Sequence, residues 1–211
     1  MKVLDTKYKI ELKEAISELE SGKIITIPTD TFYGLACDAT NGEVVNNLLE
    51  LKERGKDKPV PLLIADSEDL YKYNPEVDGI GKLISKFWPG PLTLILETDY
   101  NFPLGTVKND GSVAFRVPDL KFTRDLIRVF GKPLTGTSAN ISNFPETKNL
   151  DILKDSLKHK NIEKFVDIKC GKENLASTVI KMKKNKIKII REGPISKSLL
   201  ESVLGESFTY E

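Results

Sequence analysis

Histidine, cysteine and tryptophan are scarce in this 211-residue chain, which contains one, two and one of them respectively. The single histidine, His159, lies between two lysines in a run typical of a solvated surface. A catalytic triad built on histidine is therefore not expected. Cys37 and Cys170 are far apart and outside any C-x-x-C spacing, which argues against a disulfide framework and a zinc site. We interpret both as buried or incidental thiols.

Long apolar runs are also missing, although 39% hydrophobic and 30% charged residues are typical of a globular chain. No segment approaches the roughly 20 apolar residues of a membrane-spanning helix. Residues 1–7 contain no apolar stretch and no small-residue cleavage site, so no signal peptide is predicted. We expect a cytoplasmic protein with one compact domain and no membrane contact.

The chain also lacks a large net charge: its formal net charge is +1. The charges are nevertheless unevenly distributed along the chain. Residues 148–191 contain 13 basic and 5 acidic residues, a local charge of +8, whereas the rest of the chain has 19 and 26, or −7. Within this segment, residues 181–191 alternate lysine and isoleucine around a polar turn, as a half-exposed hairpin does. We favour a solubilising lysine face over a nucleic-acid surface. Contact with tRNA or double-stranded RNA through residues 148–191 is the alternative.

Helical and strand patterns interleave along the chain. Helical spacing predicts five helices. The first ends near residue 21, the second begins at Asn41 and stops at Gly55, and the other three lie at 80–87, 123–130 and 149–158. Short apolar runs predict strands at 24–27, 62–64, 92–96, 113–117, 134–137 and 165–168, followed by a hairpin over 177–191. This order predicts an α/β fold with a mixed sheet in a single domain, since no repeat or linker divides the chain.

Common nucleotide-binding and hydrolase motifs are absent. There is no G-x-x-x-x-G-K-[ST] phosphate loop, and residues 79–82 lack the third glycine of a dinucleotide-binding loop. Residues 136–140 place Ser138 after a strand, but Asn140 stands where a nucleophile elbow needs glycine. Any bound phosphate must therefore be held in another way.

Four segments instead carry many hydroxyl groups or cations, and each follows a predicted strand or helix. The first, residues 28–34, contains threonines, an aspartate and a tyrosine, and an ordinary turn held by Asx and threonine hydrogen bonds is an equal alternative. The second, residues 52–59, contains four positive side chains: Lys52, Arg54, Lys56 and Lys58. A polyanion would relieve their mutual repulsion. A solvated helix end that complements the helix dipole is the alternative.

The other two segments follow later strands. Strand alternation would place Ala114 and Arg116 on one face, either inside a cleft or on the solvent side of the sheet. In residues 135–142, Gly136 allows a close backbone approach, while Ser138 and Asn140 are available to bind a ligand. The same composition recurs near the end of the chain, in Ser177-Thr178 and Arg191-Glu192-Gly193-Pro194. We interpret these segments as parts of one site.

Taken in order, the segments resemble the YrdC-like family of threonylcarbamoyl-AMP synthases. The resemblance covers about residues 8–204, which we assign to one YrdC-like domain, with residues 205–211 as a short carboxyl-terminal tail. Six ordered motifs carry it: Pro28-Thr29-Asp30-Thr31-Phe32-Tyr33-Gly34-Leu35, Lys52-x-Arg54 with Lys58-Pro59, Phe87-Trp88-Pro89-Gly90-Pro91-Leu92-Thr93, Arg116-Val117-Pro118, Thr137-Ser138-Ala139-Asn140 and Ser177-Thr178-Val179.

The resemblance implies both a fold and a reaction. The family fold is a twisted mixed β-sheet flanked by helices around a large positively charged cavity. Its reaction is that of a nucleotidyltransferase, which joins L-threonine, bicarbonate and ATP, with Mg²⁺ on the triphosphate, to give threonylcarbamoyl-AMP and pyrophosphate. The product serves to modify the adenosine next to the anticodon of tRNA. A downstream threonylcarbamoyl transferase complex is the partner that the resemblance implies.

The family motifs also imply roles for individual residues. The implied catalytic group is Lys52, Arg54, Ser138 and Asn140. The implied ATP-binding positions are Arg54, Lys58, Ser138, Asn140 and Arg191. The implied threonine-binding positions are Thr31, Arg116 and Ser177, and no protein ligand for a metal ion is expected. One departure from the family lies at residues 62–64, Leu62-Leu63-Ile64, where some members have a histidine.

Three other functions are weighed against the synthase. A paralogue of the same fold could bind nucleotide or RNA without efficient synthase activity, and pyrophosphate release that depends on both threonine and bicarbonate separates the two. A carbamoyl-transferring maturation domain is less expected, because such domains usually sit in longer chains with zinc-finger cysteines. A purely structural protein would require every polar segment to be incidental.

Overall fold

The computed structural model describes residues 6–55, 58–73, 79–140, 145–205 and 208–210. In these ranges the α-helices are α1 Thr6–Glu20, α2 Gly42–Leu51, α3 Ile80–Phe87, α4 Lys121–Phe130, α5 Leu150–Leu157 and α6 Lys197–Leu204, with a 3-10 helix at Ser67–Tyr73. The strands are β1 Ile25–Ile27, β2 Gly34–Ala36, β3 Leu62–Leu63, β4 Leu92–Glu97, β5 Ser112–Arg116, β6 Leu134–Thr135, β7 Thr137–Ser138, β8 Lys164–Phe165, β9 Thr178–Lys183, β10 Lys186–Arg191 and β11 Thr209–Tyr210.

The strands form two mixed sheets rather than the single sheet that the sequence predicts. The smaller sheet has the order β7-β2-β1-β8, and the larger has the order β11-β10-β9-β4-β5-β3-β6. Both sheets contain parallel and antiparallel neighbours: β1 is parallel to β8 and antiparallel to β2, while β4 is parallel to β9 and antiparallel to β5. The mixed α/β class is therefore as predicted, but its strands are divided in two.

Gly136 is the point at which the chain passes from the larger sheet to the smaller. The predicted strand 134–137 is split there into β6 and β7. The Gly136 amide donates to the Pro61 carbonyl at 2.8 Å, and a Cβ built on Gly136 would lie 2.6 Å from the Leu63 side chain. Only glycine allows the backbone to turn this close to β3. The turn joins the two sheets beside the strands that carry the candidate site.

Helices cover the sheets on their outer sides. Helices α3 and α6 contact each other and contribute to one buried apolar cluster with β4, β5 and β9, while α1 and α4 pack together over β1. A third cluster places α2 and α5 against β2. The polar segments singled out in the sequence lie on the inner faces of the two sheets, away from these helices. The helices leave the inner faces uncovered, and a cleft lies between them.

Most predicted elements are present, with shifted ends. Asn41 caps α2 as expected, since its side chain accepts from the amides of Glu43 and Val44. The predicted stop at Gly55 is wrong, because α2 ends at Leu51 and Glu53 adopts a left-handed φ of 52°. The following amide, that of residue 54, donates back to the Leu49 carbonyl at 2.9 Å, which closes the helix as in a Schellman turn.

The short strands were the hardest elements to predict. β2 and β7 contain only three and two residues, too few for alternation to be recognised. β2 lies in a segment interpreted as a loop, and β7 extends one residue beyond the predicted strand 134–137. The hairpin β9–β10 is present as predicted, with Lys184 at a positive φ in its turn. β11 pairs with β10 at Lys186 and Ile187, so these tail residues join the edge of the larger sheet. No helix among the described residues combines the length and the apolar character needed to cross a membrane.

Candidate active site

A cleft of about 360 Å³ lies between the inner faces of the two sheets. The smaller sheet contributes β2, β7 and the loop after β1, and the larger sheet contributes residues from β3, β4, β5, β9 and β10. Its polar and charged lining residues are Thr29, Thr31, Tyr33, Arg54, Lys58, Thr93, Lys108, Ser112, Arg116, Thr137, Ser138, Glu146, Ser177 and Arg191. Segments that are far apart in the sequence therefore meet at one place.

The charged residues in this lining are mostly cations. Arg54, Lys58, Lys108, Arg116 and Arg191 are basic, whereas Glu146 is the one acidic residue among the described lining residues. The formal balance is five positive charges against one negative charge, or +4. One of these cations, Arg116, is paired with the buried carboxylate of Asp30, which does not line the cleft. Lys56, the remaining cation of the segment 52–59, lies outside the described residues.

Lys52 lies behind the cleft wall and holds the turn that carries Ser138 and Asn140. Its side-chain amine is buried and donates to the Ser138 carbonyl at 2.6 Å, the Asn140 carbonyl at 2.7 Å and Asn140 Oδ1 at 3.0 Å. Ser138 Oγ also donates to Asn140 Oδ1, at 2.7 Å. Three of the four predicted catalytic residues thus form one hydrogen-bonded unit, in which Lys52 fixes the positions of the other two.

Burial and, to a smaller extent, the nearby charge of Arg54 together lower the pKa of Lys52 to about 8, while Glu146 opposes the shift. The side chain is only 4% exposed, so desolvation disfavours its charged form. The three acceptors that the described residues provide are neutral oxygens. Near neutral pH the group is still mainly an ammonium ion.

The lowered pKa predicts a pH-dependent contribution to stability. An unfolded lysine has a pKa near 10.5, so between about pH 8 and about pH 10.5 the unfolded chain binds more protons than the folded chain. The contribution of Lys52 to the free energy of unfolding should therefore rise with pH across this window and be constant below it. Urea unfolding of the wild type and of Lys52→Met, compared from about pH 7 to about pH 10, measures it. A difference between the two proteins that does not change with pH would contradict the assignment.

Arg54 follows the Schellman turn and lines the cleft. Its Nε donates to the Lys58 carbonyl, and its Nη2 donates to the Pro59 carbonyl at 3.0 Å. These bonds close the loop after α2, so Arg54 and Lys58 both face the cleft. At the end of α2 the two motif residues therefore point in different directions. Lys52 points to the turn at 138–140, and Arg54 points into the cleft.

Arg116 reaches the cleft from the end of β5, on the same strand face as Ala114 and Ser112. Alternation therefore places Arg116 inside a cleft, which settles the choice that the sequence left open. Its guanidinium donates to the Gly90 carbonyl at 3.1 Å, Thr31 Oγ1 at 3.4 Å and Asp30 Oδ1 at 2.6 Å.

The segment 87–93 supports Arg116 through its backbone. The Gly90 amide donates to the Val117 carbonyl at 2.9 Å, and the Trp88 indole donates to the Leu92 carbonyl at 2.7 Å. A Cβ on Gly90 would lie 2.5 Å from the Phe87 carbonyl oxygen, so only glycine fits in this bend. The motif thereby fixes the Gly90 carbonyl that accepts from Arg116.

Ser177 and Arg191 form the opposite wall. Arg191 donates from Nε to the Ser177 carbonyl at 3.0 Å and from Nη2 to Ser177 Oγ at 3.1 Å. Ser177 Oγ also lies 2.8 Å from Thr93 Oγ1, which connects β4 to this pair. Burial lowers the pKa of Arg191, Glu146 opposes the shift, and Arg116 adds to it. The cations of the cleft thus influence one another, as expected for a site that binds anions.

The sequence model of the Sua5/YciO/YrdC family, described as telomere recombination, matches residues 17–193. The chain belongs to this family. The membership predicted from the six motifs is therefore confirmed, and the matched region contains every residue to which the motifs gave a role.

Two relatives and one solved structure illustrate the similarity. A protein of Methanocaldococcus jannaschii is 37% identical over 178 residues, which cover 84% of this chain and 83% of the relative. The threonylcarbamoyl-AMP synthase of Photobacterium profundum is 35% identical over 150 residues, or 69% of this chain and 80% of the relative. The crystal structure of P. abyssi Sua5 complexed with L-threonine has a TM-score of 0.86 and 30% identity.

The P. abyssi comparison confirms the predicted fold class. It covers 97% of this chain but only 59% of the P. abyssi chain, so this chain spans less than two thirds of that protein. The shared part of the two proteins is therefore the α/β unit with two mixed sheets described above. Membership of the family also makes the chain a transferase-type enzyme.

Some cleft residues of this Sua5/YciO/YrdC chain were not selected from its sequence. Ser112 could have been found, because alternation along β5 places it on the face of Arg116. Lys108 and Glu146 lie in loops and gave no periodic signal. Leu63, which stands where some family members have a histidine, also lines the cleft and packs against Gly136. At this position the wall is apolar.

Two other features of the sequence lie elsewhere. His159 is exposed in the turn after α5 and is not among the lining residues of the cleft, which agrees with the surface predicted for it. Both cysteines are thiols, and burial raises the pKa of Cys37 to about 12 and that of Cys170 to about 11. Neither thiol is a ready nucleophile near neutral pH.

Proposed function

We propose that this chain is a threonylcarbamoyl-AMP synthase, a nucleotidyltransferase that joins L-threonine, bicarbonate and ATP and releases pyrophosphate. One observation carries the proposal: the cations Arg54, Lys58, Arg116 and Arg191 come from three different segments, Ser138 comes from a fourth, and all five residues line one cleft. All three substrates are anionic or carry a carboxylate, and such a lining suits them. The names of the relatives and the threonine complex of P. abyssi Sua5 support the same reading.

The two substrate groups can be assigned to neighbouring parts of the cleft. We assign the amino acid to the part formed by Thr31, Arg116 and Ser177, where one cation and two hydroxyls match a carboxylate and polar groups. We assign ATP to Arg54, Lys58, Ser138, Asn140 and Arg191. The Ser177–Arg191 hydrogen bonds link the two parts, so the amino acid and the α-phosphate would lie side by side.

The reaction requires positioning and charge stabilisation more than a protein nucleophile. Bicarbonate takes up a proton and loses water to give carbon dioxide. The deprotonated amine of threonine adds to this carbon and gives up one proton, so the net products are a carbamate and one water molecule. A carbamate oxygen then attacks the α-phosphorus of ATP, a new P–O bond forms, and the bond to pyrophosphate breaks. Negative charge accumulates on the phosphate oxygens, where Arg54 and the turn at 138–140 stabilise it.

The residues present fit a magnesium ion that arrives with ATP. The described residues contain no group of three histidine, cysteine or carboxylate side chains that could hold a metal ion. Mg²⁺ usually keeps several waters and binds through substrate phosphates with one or two carboxylates. Glu146 is the carboxylate in the described lining that could take part. The ion would neutralise part of the triphosphate charge when it is bound.

We also propose that the product serves in tRNA modification. The downstream threonylcarbamoyl transferase complex would use the threonylcarbamoyl-AMP that this chain forms. Direct RNA contact through residues 148–191 is less favoured, because several lysines of that segment lie in ion pairs with carboxylates. These pairs are Lys160–Glu53, Lys164–Glu11, Lys181–Asp110 and Lys183–Glu97. Paired lysines contribute less to phosphate binding than unpaired ones. Tight, salt-dependent binding of tRNA without threonine-dependent chemistry would favour the RNA-binding paralogue instead.

A single incubation tests the proposed reaction. Purified protein with labelled bicarbonate, threonine and ATP–Mg²⁺ should form a labelled adenylate and release an equal amount of pyrophosphate. Omission of either threonine or bicarbonate should abolish pyrophosphate release. Binding of ATP without pyrophosphate release under these conditions would contradict the synthase and identify a nucleotide-binding paralogue.

A further inference from the structure

Asp30 and Arg116 form an ion pair at the back of the cleft. Their side chains are 4% and 7% exposed, and Asp30 Oδ1 lies 2.6 Å from Arg116 Nη2. Transfer of two charges out of water is unfavourable, and a buried pair often contributes little net stability. A gain in stability therefore does not explain this pair, and its geometry suggests a role in the site.

Three fixed acceptors determine the orientation of the Arg116 guanidinium. Nε donates to the Gly90 carbonyl, Nη1 to Thr31 Oγ1 and Nη2 to Asp30 Oδ1. A guanidinium has five N–H groups, so these contacts leave one N–H on each terminal nitrogen. Among the described residues these two groups have no acceptor, and because Arg116 lines the cleft we take them to be the donors for a ligand there. Two donors on one planar group match a carboxylate.

Asp30 itself is held rigidly and does not line the cleft. The Asp30 carbonyl accepts from the Glu173 amide at 3.1 Å, and the Thr29 carbonyl accepts from the Gly171 amide at 2.9 Å. Gly171 packs so closely that a Cβ on it would lie 2.6 Å from Asp30 Cα. Asp30 Oδ2 is buried and has no hydrogen-bond partner among the described residues. Its carboxylate therefore acts on Arg116 rather than on a ligand.

We propose that Asp30 is a positioning residue, which orients the guanidinium of Arg116 to bind the carboxylate of the amino-acid substrate. This inference rests on the proposed function, because it takes the amino acid to be the ligand of Arg116. Asp30 provides the charged acceptor of the three contacts and balances the buried cation. Without it, Arg116 keeps only two neutral acceptors and loses the fixed orientation of Nη2.

The test is a comparison of Asp30→Asn with a matched control. Asparagine retains the shape of the side chain and removes its charge, so we expect the KM for threonine to rise roughly 10- to 100-fold. The KM for ATP should change less than about threefold, because Arg116 is not assigned to ATP. Asp38→Asn is the control, since Asp38 is also buried and paired, but its partner Lys132, at 2.7 Å, does not line the cleft.

A double-mutant cycle shows whether Asp30 acts through Arg116. In an Arg116→Gln background, Asp30→Asn should have no further effect on the threonine KM, whereas independent effects would multiply. The inference would be overturned by effects that multiply or by an unchanged KM for threonine. It would also be overturned by a rise in the KM for both threonine and ATP that Asp38→Asn shows to the same extent. If Asp30→Asn does not fold, Asp30→Glu decides, because it keeps the charge but displaces the carboxylate. A threonine KM equal to the wild-type value in Asp30→Glu would overturn the inference.

The failure of the inference and that of the proposed function give different results. If the wild type forms no adenylate from threonine, bicarbonate and ATP, the proposed function fails. If the wild type is active and Asp30→Asn has the wild-type KM for threonine, only the role of Asp30 fails. Calorimetric titration of threonine without ATP adds a second readout, in which Asp30→Asn should bind threonine roughly 10- to 100-fold more weakly.

Discussion

Replacement of Lys52 by methionine should lower the rate of threonylcarbamoyl-AMP formation by about 10²–10³-fold, as expected for loss of one preorganised group that stabilises charge. The Lys52 amine does not need to touch a substrate for this effect. It holds the backbone carbonyls of Ser138 and Asn140 and the Asn140 side chain, so its loss releases the turn that we assign to ATP binding. Initial rates of pyrophosphate release at saturating substrates measure the change.

The same substitution should also destabilise the fold. The carbonyls of Ser138 and Asn140 lose the Lys52 donor, whereas Asn140 Oδ1 keeps its bond from Ser138 Oγ. A buried acceptor left without a partner costs about 1–3 kcal/mol. Lys132→Met is the matched control, because Lys132 is a half-exposed lysine bound to Asp38 outside the cleft. We expect it to change the rate less than about twofold and stability by about 1 kcal/mol or less. A Lys52→Met protein as active as Lys132→Met would contradict the role assigned to Lys52.

Gly193→Ala should lower the free energy of unfolding by about 1–3 kcal/mol and the synthase rate by about 10²-fold. A Cβ on Gly193 would lie 2.2 Å from the Ala176 carbonyl oxygen and 2.6 Å from the Thr178 amide nitrogen, both of them backbone atoms. The backbone on either side of Ser177 must therefore move. Because Arg191 binds the Ser177 carbonyl and hydroxyl, this wall of the cleft is displaced with it.

Gly81→Ala is the control for this substitution. Gly81 lies in α3, and a Cβ built on it meets nothing within 4 Å. Alanine there should stabilise the chain by about 0.5–1 kcal/mol, since glycine loses more backbone entropy in a helix, and should leave the rate unchanged. Thermal unfolding and pyrophosphate release, measured on both variants, give the comparison. Equal effects of the two alanines would refute the explanation by backbone contact.

The periodic elements of this protein were predictable because their signals are local. The apolar spacing of α1, α3 and α5 and the alternation of β9 and β10 depend only on neighbouring residues. The cap at Asn41 is equally local. The end of α2 was placed too late because a Schellman turn formed around Glu53, a residue with no strong preference for a left-handed φ.

The candidate site was predictable as a set of residues but not as an arrangement. Lys52, Arg54, Arg116, Ser138 and Ser177 were all selected from motifs. The contacts between these residues could not be predicted, because they depend on the pairing of segments that are far apart in the chain. The bond between Lys52 and the turn at 138–140 joins residues 86 and 88 positions apart. The family motifs implied that Lys52 meets phosphate or the carbamate. In the structure its amine donates to the carbonyls of Ser138 and Asn140 and to the Asn140 side chain.

The amino-acid sequence by itself determined the α/β class, the family and the chemical character of the site, because composition, periodicity and motif order are properties of the chain alone. Only the tertiary structure decided that the strands form two sheets joined at Gly136, that Arg116 faces a cleft, and that Asp30 holds it. The physical reason is that hydrogen bonds and burial between distant segments depend on how the sheets pack. Local sequence does not encode that packing.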